Sequence, residues 1–261
     1  MDLEQLTTFH RWFENYVGRF YSNDPDMQIN IELKEEHTKR VCDNIILLSR
    51  SLGLSPNQVY LAESIALFHD VGRFEQIRRY RTFSDSDSED HGQLGVCILK
   101  NSGILASLSE NEQEIILKAV GYHNRFALPA DETDRCMLYC KLIRDADKLD
   151  VLKVVTDYHT HRDECKNPVL ELELPDGPGY SKEMIREILG HGPAHAEHMN
   201  TYNDMMLLQL SWLFDINFQE TFRQISKAGY VDRLVSQLPD TLEILQIHGF
   251  LNAYLVSQIE K

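Results

Sequence analysis

The segment Leu67-Phe68-His69-Asp70-Val71-Gly72-Arg73 sets a histidine beside an aspartate at the end of an apolar run. The sequence on either side of it has the periodicity of helices. Upstream, the apolar residues 33, 41, 45, 48 and 52 share one helical stripe that Gly53 closes. Ser55 and Pro56 are residue types that begin a helix. We expect this helix to run to about Asp70 and to stop at Gly72.

Helical signals continue after this segment. A helix should open near Asp90 and end before residue 103. Ser109 and Glu112 have the spacing of a capping box, which predicts another helix towards residue 121. A long helix should follow from about residue 133 to residue 158. The first part of the chain is therefore predicted to be helical throughout.

Residues 159–180 break this pattern. Apolar and acidic residues alternate between Val169 and Leu174, which favours a short strand or an extended arm. Helices are expected to resume after Ser181, near Pro193 and after Asp240.

The predicted fold class is therefore all-α, with additional C-terminal helices and a short irregular or β-arm insertion. We expect residues 1–160 to form one helical domain that includes an N-terminal helix. Residues 161–261 should supply the insertion and a C-terminal helical layer, packed on the first part as one compact unit.

The net charge of the chain limits the classes of partner that we expect it to bind. Its 26 Lys and Arg residues stand against 41 Asp and Glu residues, which gives a net charge of −15 at pH 7. Proteins that bind nucleic acids or anionic membranes draw affinity from positive charge. We therefore expect neither a nucleic-acid polymer nor a membrane as a partner. The apolar content of 43% is enough for a sizeable core.

The sequence carries no targeting signal that we can identify. No segment reaches the roughly 18 consecutive apolar residues of a membrane span. The start Met1-Asp2-Leu3-Glu4 lacks the basic and apolar regions of a secretory signal. Five cysteines without a CxxC pair suit a reducing compartment. We expect a cytoplasmic protein.

Four histidines and two aspartates fall at helix ends or on inward-facing stripes. They are His37, His69, Asp70, His91, His123 and Asp147. Imidazole and carboxylate together are ligands for Mn, Fe, Co, Ni, Zn or Mg. An aspartate beside a histidine can bridge two such ions through its two oxygens, and helical bundles build such sites between facing helices. We expect one or two divalent metal ions.

The order His…His-Asp…Asp resembles the HD superfamily of metal-dependent phosphohydrolases. His37, His69, Asp70 and Asp147 match the defining ligands of that family, and His91 and His123 are similar to the two further histidines of its binuclear members. The similarity covers about residues 30 to 160. It implies an HD-domain helical bundle in which metal-activated water hydrolyses a phosphate ester.

Cationic side chains beside the expected ligands suit phosphoryl oxygens, which they can neutralise and position. Arg73 follows Asp70 by three positions, and Lys148 directly follows Asp147. We assign catalytic roles to Asp70, Arg73 and Lys148. Asp150 shares a helix face with Asp147, and we expect it to contact a ligand rather than the ion.

The expected substrate is a small phosphate ester or a nucleotide, because the net negative charge repels polyanions. The sequence leaves open whether it is a monoester, a triphosphate or a diester. Two other functions remain as alternatives. A few relatives of this fold are diiron oxygenases with a similar ligand set, and a nucleotide-binding sensor would keep the fold without turnover.

Two patterns in the C-terminal part are weaker. His195 and His198 would share a helix face if Pro193 began a helix, but no carboxylate motif accompanies them, so we do not predict an independent metal site. The apolar stripe from Leu242 to Leu255 favours packing, with a homodimer interface as the alternative.

Overall fold

The computed structural model describes residues 1–162, 166, 171–172 and 174–261, and these residues form helices without any strand. The all-α prediction is confirmed. Half of the predicted strand or arm between Val169 and Leu174, namely positions 169, 170 and 173, lies outside the described residues. The described helices are α1 (Leu3–Val17), α2 (Pro25–Ser51), α3 (Pro56–Phe68), α4 (Val71–Tyr80), α5 (His91–Ser102), α6 (Glu110–Tyr122), α7 (Asp134–His161), α8 (Lys182–Leu189), α9 (Tyr202–Ser211), α10 (Gln219–Ala228), α11 (Tyr230–Val235) and α12 (Leu242–Ile259).

Two compact units make up the chain, residues 1–150 and residues 151–261. In the first unit, α3 packs on α1, α2 and α6, and α5 packs on α4 and α6. In the second unit, α12 packs on α8, α10 and α11. The predicted division after residue 160, and the packing of both parts as one unit, stay predictions. None of the described helices has both the length and the apolar character of a transmembrane helix.

The predicted helix boundaries of the first unit are largely confirmed. Ser109 caps α6 and forms a capping box with Glu112. Gly103 ends α5 in the left-handed conformation, with φ of 66°. The helix that carries the 33–52 stripe begins earlier than the stripe, at Pro25, because the Asp24 side chain accepts hydrogen bonds from the first-turn amides.

The chain turns at His69 and Asp70, between α3 and α4. The prediction of one helix that stops at Gly72 is wrong, since α3 ends at Phe68 and α4 begins at Val71. Aromatic side chains of α1 pack on both sides of this turn, where the ring centroids of Phe9 and Phe68 are 5.2 Å apart. The hydroxyl of Tyr16 also donates to the carbonyl of Val71 at 3.1 Å. Apolar burial on both sides therefore fixes the turn.

Gly72 lies inside α4, where it permits close contact with α5. A Cβ atom at this position would lie 2.1 Å from the carbonyl oxygen of His91 and 2.9 Å from the amide nitrogen of Gly95. Both atoms are backbone, so a side chain could be accommodated only by moving a helix. The glycine therefore permits the close spacing of α4 and α5.

The second unit contains one further departure from prediction. The helix expected near Pro193 is a single 3₁₀ turn, Ala196–His198. The amide of Ala194 donates to the hydroxyl of Ser211 at 2.9 Å, which ties this segment to α9.

Candidate metal centre

Six side chains predicted from the sequence meet in the first unit. His37 comes from the middle of α2, His69 and Asp70 from the turn after α3, His91 from the first position of α5, His123 from the end of α6 and Asp147 from α7. Five of them are buried, and the side chain of Asp147 is 23% exposed. Residues spread over more than a hundred positions of sequence thus share one small volume.

Asp70 lies between two pairs of histidines. Its Oδ2 atom is 3.5 Å from Nε2 of His37 and 3.6 Å from Nε2 of His69. Its Oδ1 atom is 3.4 Å from Nε2 of His91 and 3.6 Å from Nε2 of His123. Each carboxylate oxygen therefore faces its own pair of imidazoles, which is the arrangement that a carboxylate bridging two ions requires.

Asp147 completes the first of these groups. Its Oδ1 atom is 3.2 Å from Nε2 of His37 and 3.8 Å from Nε2 of His69. The position of α7 is fixed nearby, where the Asn44 side chain on α2 donates to the carbonyl of Ala146 at 3.1 Å. The two groups differ in composition. The group of His37 and His69 has two aspartates, Asp70 and Asp147, whereas the group of His91 and His123 has one, Asp70.

The carboxylate of Asp70 can face the histidines because it does not form a capping hydrogen bond to α4. It occupies the N-cap position of that helix, yet its side chain makes no capping hydrogen bond. An aspartate at an N-cap usually accepts a hydrogen bond from the first turn. Here the carboxylate instead points towards the imidazoles and is 3% exposed as a residue.

All four imidazoles are held at Nδ1 while Nε2 faces the centre. Nδ1 of His69 donates to the carbonyl of Ala66, and Nδ1 of His123 donates to that of Val120, each at 2.7 Å. Both acceptors are backbone carbonyls, so in these two rings the proton sits on Nδ1 and Nε2 carries the lone pair. Such contacts orient the imidazoles of metal sites and increase their basicity.

The other two imidazoles are held by carboxylates. Nδ1 of His37 lies 2.7 Å from Oδ2 of Asp150, and Nδ1 of His91 lies 2.7 Å from Oδ2 of Asp85. The Arg40 guanidinium contacts both oxygens of Asp150, at 2.6 and 3.0 Å. Asp150 therefore contacts a proposed ligand, as the sequence predicts, and Asp147 faces the centre.

Burial keeps two of the histidines neutral. It lowers the pKa of His69 to about 4, and burial together with the charge of Arg73 lowers the pKa of His91 to about 3. Burial also opposes protonation of His37, but hydrogen bonds to carboxylates raise its pKa above the usual value. Neutral imidazoles are the form that binds a metal ion.

The two carboxylates stay ionised in the same surroundings. Burial alone would raise the pKa of Asp70, but the charge of Lys34 holds it well below its usual range. Burial likewise opposes ionisation of Asp147, and the hydrogen bond to His37 lowers its pKa. The centre thus combines negative oxygens with imidazole nitrogens, which fits a divalent cation.

Sequence reasoning missed two residues beside the centre. Lys34 donates from Nζ to Oδ2 of Asp70 at 2.8 Å, and its ammonium lies 5.2 Å from the centre of the Phe83 ring. The signal was available, because Lys34 precedes His37 by three positions and so shares its helix face. The second is Asp85, whose contact with His91 could not be read from its place in an acidic loop.

Arg73, predicted to be catalytic, holds that acidic loop. Its Nη1 atom donates to Gln76 at 2.7 Å, to the carbonyl of Phe83 at 2.5 Å and to Asp85 at 3.1 Å. Its Nε atom is buried without a hydrogen-bond partner and lies 3.7 Å from Oδ1 of Asp70. Lys148 follows Asp147 on α7 and is partly exposed. The catalytic roles of Arg73 and Lys148 stay predictions.

Residues 35–152 match the family model of the HD domain. This part of the chain is an HD domain. It belongs to the HD superfamily of metal-dependent phosphohydrolases, as the resemblance of the His and Asp motifs indicated. No curated protein and no solved structure matches the chain significantly. The match includes Asp70 and the five residues that meet around it.

The donor set of the HD domain fits divalent metal ions. Two groups of three side chains that include Asp70 could each hold one ion, and within each group the ligand atoms lie within 4.8 Å of one another. The first is His37, His69 and Asp70, and the second is Asp70, His91 and His123. Nitrogen and oxygen donors without sulfur suit Mn, Fe, Co, Ni, Zn or Mg.

Proposed function

We propose that the HD domain hydrolyses a small phosphate ester or a nucleotide, using one or two divalent ions held by Asp70 and the five side chains around it. The placement of Asp70 supports this most directly, because each of its oxygens faces two imidazole Nε2 atoms at 3.4 to 3.6 Å. Asp70 would help to hold an ion with either pair of histidines, and such ions would supply the activated water that a phosphohydrolase needs.

A divalent ion bound there would supply a water of lowered pKa and a positive charge for a phosphoryl oxygen. The protein's own part is to hold the ligands rigidly and to add cations. Lys34 is 17% exposed and adjoins Asp70, so its ammonium is within reach of an anionic group that enters the centre. Arg73 and Lys148 would add further positive charge. Such stabilisation of developing charge is usually the largest catalytic contribution.

The substrate class follows from the balance of charge. The chain as a whole carries −15, while the cations Lys34 and Arg73 lie beside the centre. A small anion can be neutralised locally by these groups, whereas a polyanion would meet the repulsion of the whole surface. We therefore propose a small phosphorylated metabolite or nucleotide as the substrate, and no nucleic-acid polymer or membrane as a partner.

The proposed site of action is the cytoplasm. Cys42, Cys97, Cys136 and Cys140 are free thiols among the described residues. Free thiols persist in reducing compartments. A homodimer formed through the exposed apolar residues of α12, such as Leu242 and Leu245, also stays a prediction.

The test is a metal analysis of protein purified without chelator, followed by a phosphate-release screen over nucleotides and small phosphate esters with each metal. We expect stoichiometric metal and metal-dependent release of phosphate. Asp70→Ala should strip the metal and abolish turnover while the helical content by circular dichroism is retained. Asp87→Ala, in the exposed part of the acidic loop, is the matched control and should behave as the native chain.

Other outcomes would overturn the proposal. Unchanged turnover in Asp70→Ala would exclude the centre as the site of the reaction. Stoichiometric iron with oxygen-dependent turnover and no phosphate release would identify an oxygenase. A rise in melting temperature with a nucleotide, without turnover under any metal, would identify a sensor.

A further inference from the structure

A second group of side chains of the types that bind metal ions lies within residues 151–261, outside the candidate centre of the HD domain. Glu187 belongs to α8, and of the 3₁₀ turn that follows it, His195 is the N-cap and His198 the last residue. Nδ1 of His195 lies 2.7 Å from Oε1 of Glu187, and Nδ1 of His198 lies 3.0 Å from the same oxygen. The two histidines share a side because a 3₁₀ helix has three residues per turn.

We propose that Glu187, His195 and His198 bind a divalent transition-metal ion with both imidazoles coordinating through Nδ1. A tetrahedral ion with ligands at about 2.0 to 2.2 Å needs donor atoms about 3.3 Å apart. The three donor atoms here lie within 4.8 Å of one another and converge on one carboxylate oxygen. Small rotations of the side chains would therefore bring them to coordination distance.

The Nδ1 atom of His198 is buried and faces the same carboxylate oxygen as Nδ1 of His195. It lies 3.0 Å from Oε1 of Glu187, outside good hydrogen-bond geometry. A buried nitrogen in such a contact is better satisfied by a bound ion or water. A metal ion placed between the two imidazoles and the carboxylate would satisfy this nitrogen.

The segment that carries the two histidines is held in place from both ends. The amide of Gly192 donates to the carbonyl of Glu187 at 3.1 Å, and that of His195 donates to Oε2 of Glu187 at 3.1 Å. Beyond the turn, the amide of Thr201 donates to Asp204 at 3.0 Å. The ligands are therefore positioned before any ion binds, which reduces the entropy cost of binding.

The chemistry of the donors selects the ion. Two imidazoles and one carboxylate favour Zn, Ni, Co or Cu over Mg and Ca, which prefer oxygen ligands. The side chains of His195, His198 and Glu187 are 47%, 33% and 20% exposed, so a bound ion would keep one or more positions open to water. The site would tie the segment after α8 to that helix.

The test uses the full chain, stripped with chelator and titrated with cobalt(II) in the presence of excess magnesium. We expect native protein to bind one more equivalent of cobalt than the double variant His195→Ala/His198→Ala. Glu187→Gln should weaken that equivalent at least tenfold. His161→Ala removes an exposed histidine of the same unit and should bind as the native chain does.

Repeating the titration on an Asp70→Ala background separates this site from the HD centre. The equivalent lost with His195 and His198 should remain when Asp70 is replaced, and the visible absorption of cobalt should show fewer than six ligands. The proposal is overturned if the double variant binds as many equivalents as the native chain with the same affinity. It is also overturned if excess magnesium alone prevents binding. Neither result depends on whether the HD centre hydrolyses phosphate.

Discussion

Replacing Gly72 by alanine should push α4 away from α5 and so move His91 out of the HD centre. The new Cβ atom would lie 2.1 Å from the carbonyl oxygen of His91 and 2.9 Å from the amide nitrogen of Gly95. Ordinary van der Waals contact begins at 3.4 Å. Because both obstacles are backbone atoms in a close-packed interior, we expect the helices to separate by about 1 Å.

The expected cost follows from this overlap. Overpacking a core costs about 1 to 3 kcal/mol, and a clash with backbone belongs at the upper end, about 3 kcal/mol. For a unit of this size, each kcal/mol lowers the melting temperature by about 2 to 4 °C. Gly72→Ala should therefore melt about 6 to 12 °C below the native chain. A displacement of about 1 Å at a ligand should also reduce turnover about 100-fold.

The assay combines thermal unfolding, metal stoichiometry and phosphate release. Gly249→Ala is the matched control, because Gly249 also lies inside a helix, α12, and a Cβ atom there would meet nothing within 4 Å. Alanine favours a helix over glycine by about 1 kcal/mol, so the control should be slightly more stable than the native chain. If Gly72→Ala lowers the melting temperature and Gly249→Ala raises it, the difference between these chemically identical changes is due to the close contact of α4 and α5.

One result would refute the reasoning. If Gly72→Ala melts at or above the native temperature and binds metal as the native chain does, then α4 and α5 do not approach as closely as the structure shows. The position of His91 relative to Asp70 would then need another explanation.

Three further changes test other parts of the centre. In chelator-stripped protein, acidification from pH 7 to pH 4 should lower the free energy of unfolding. The pKa values of His69 and His91 are near 6.5 in the unfolded chain but about 4 and 3 in the folded protein, so the unfolded chain binds more protons as the pH falls. Urea titrations at several pH values check this, and rising stability would contradict it. Asp150→Asn should weaken metal binding about 10- to 100-fold through its contact with His37, as measured by competition with a chelating dye, and an unchanged affinity would exclude that role. Ser109→Ala should cost about 1 kcal/mol in urea unfolding through loss of the α6 cap, with unaltered metal binding.

The sequence was sufficient to predict most helices of the first unit and the histidines and aspartates that meet there. Local signals such as the Ser109 cap and the Gly103 terminator act within one turn of helix and do not depend on the rest of the fold. The His-Asp pair was recognisable because adjacent residues need no folding to lie together. The boundary at Gly72 was predicted wrongly, because a glycine in a sequence can have either of two roles. It can end a helix, or it can lie inside a helix where a neighbouring helix packs closely, as Gly72 does.

Contacts between distant parts of the chain escaped sequence reasoning. Asp85 lies in an acidic run that reads as an exposed loop, yet it holds Nδ1 of His91. Glu187 carries no motif, yet it meets His195 and His198 across a turn. In both places a carboxylate gains its role from a partner that only the fold brings near. Residue type and spacing carry no information about such partners.

The amino-acid sequence alone determined that the chain is helical and that residues 35–152 carry the imidazoles and carboxylates of an HD domain. Only the tertiary structure decided that Asp70 gives one oxygen to each pair of histidines, that Lys34 lies beside it, and that Gly72 sets the helix spacing there. The physical reason is the separation along the chain of the residues that interact. Helix formation depends on neighbours within one turn, whereas the candidate centre depends on distances between side chains from five separate segments of the chain.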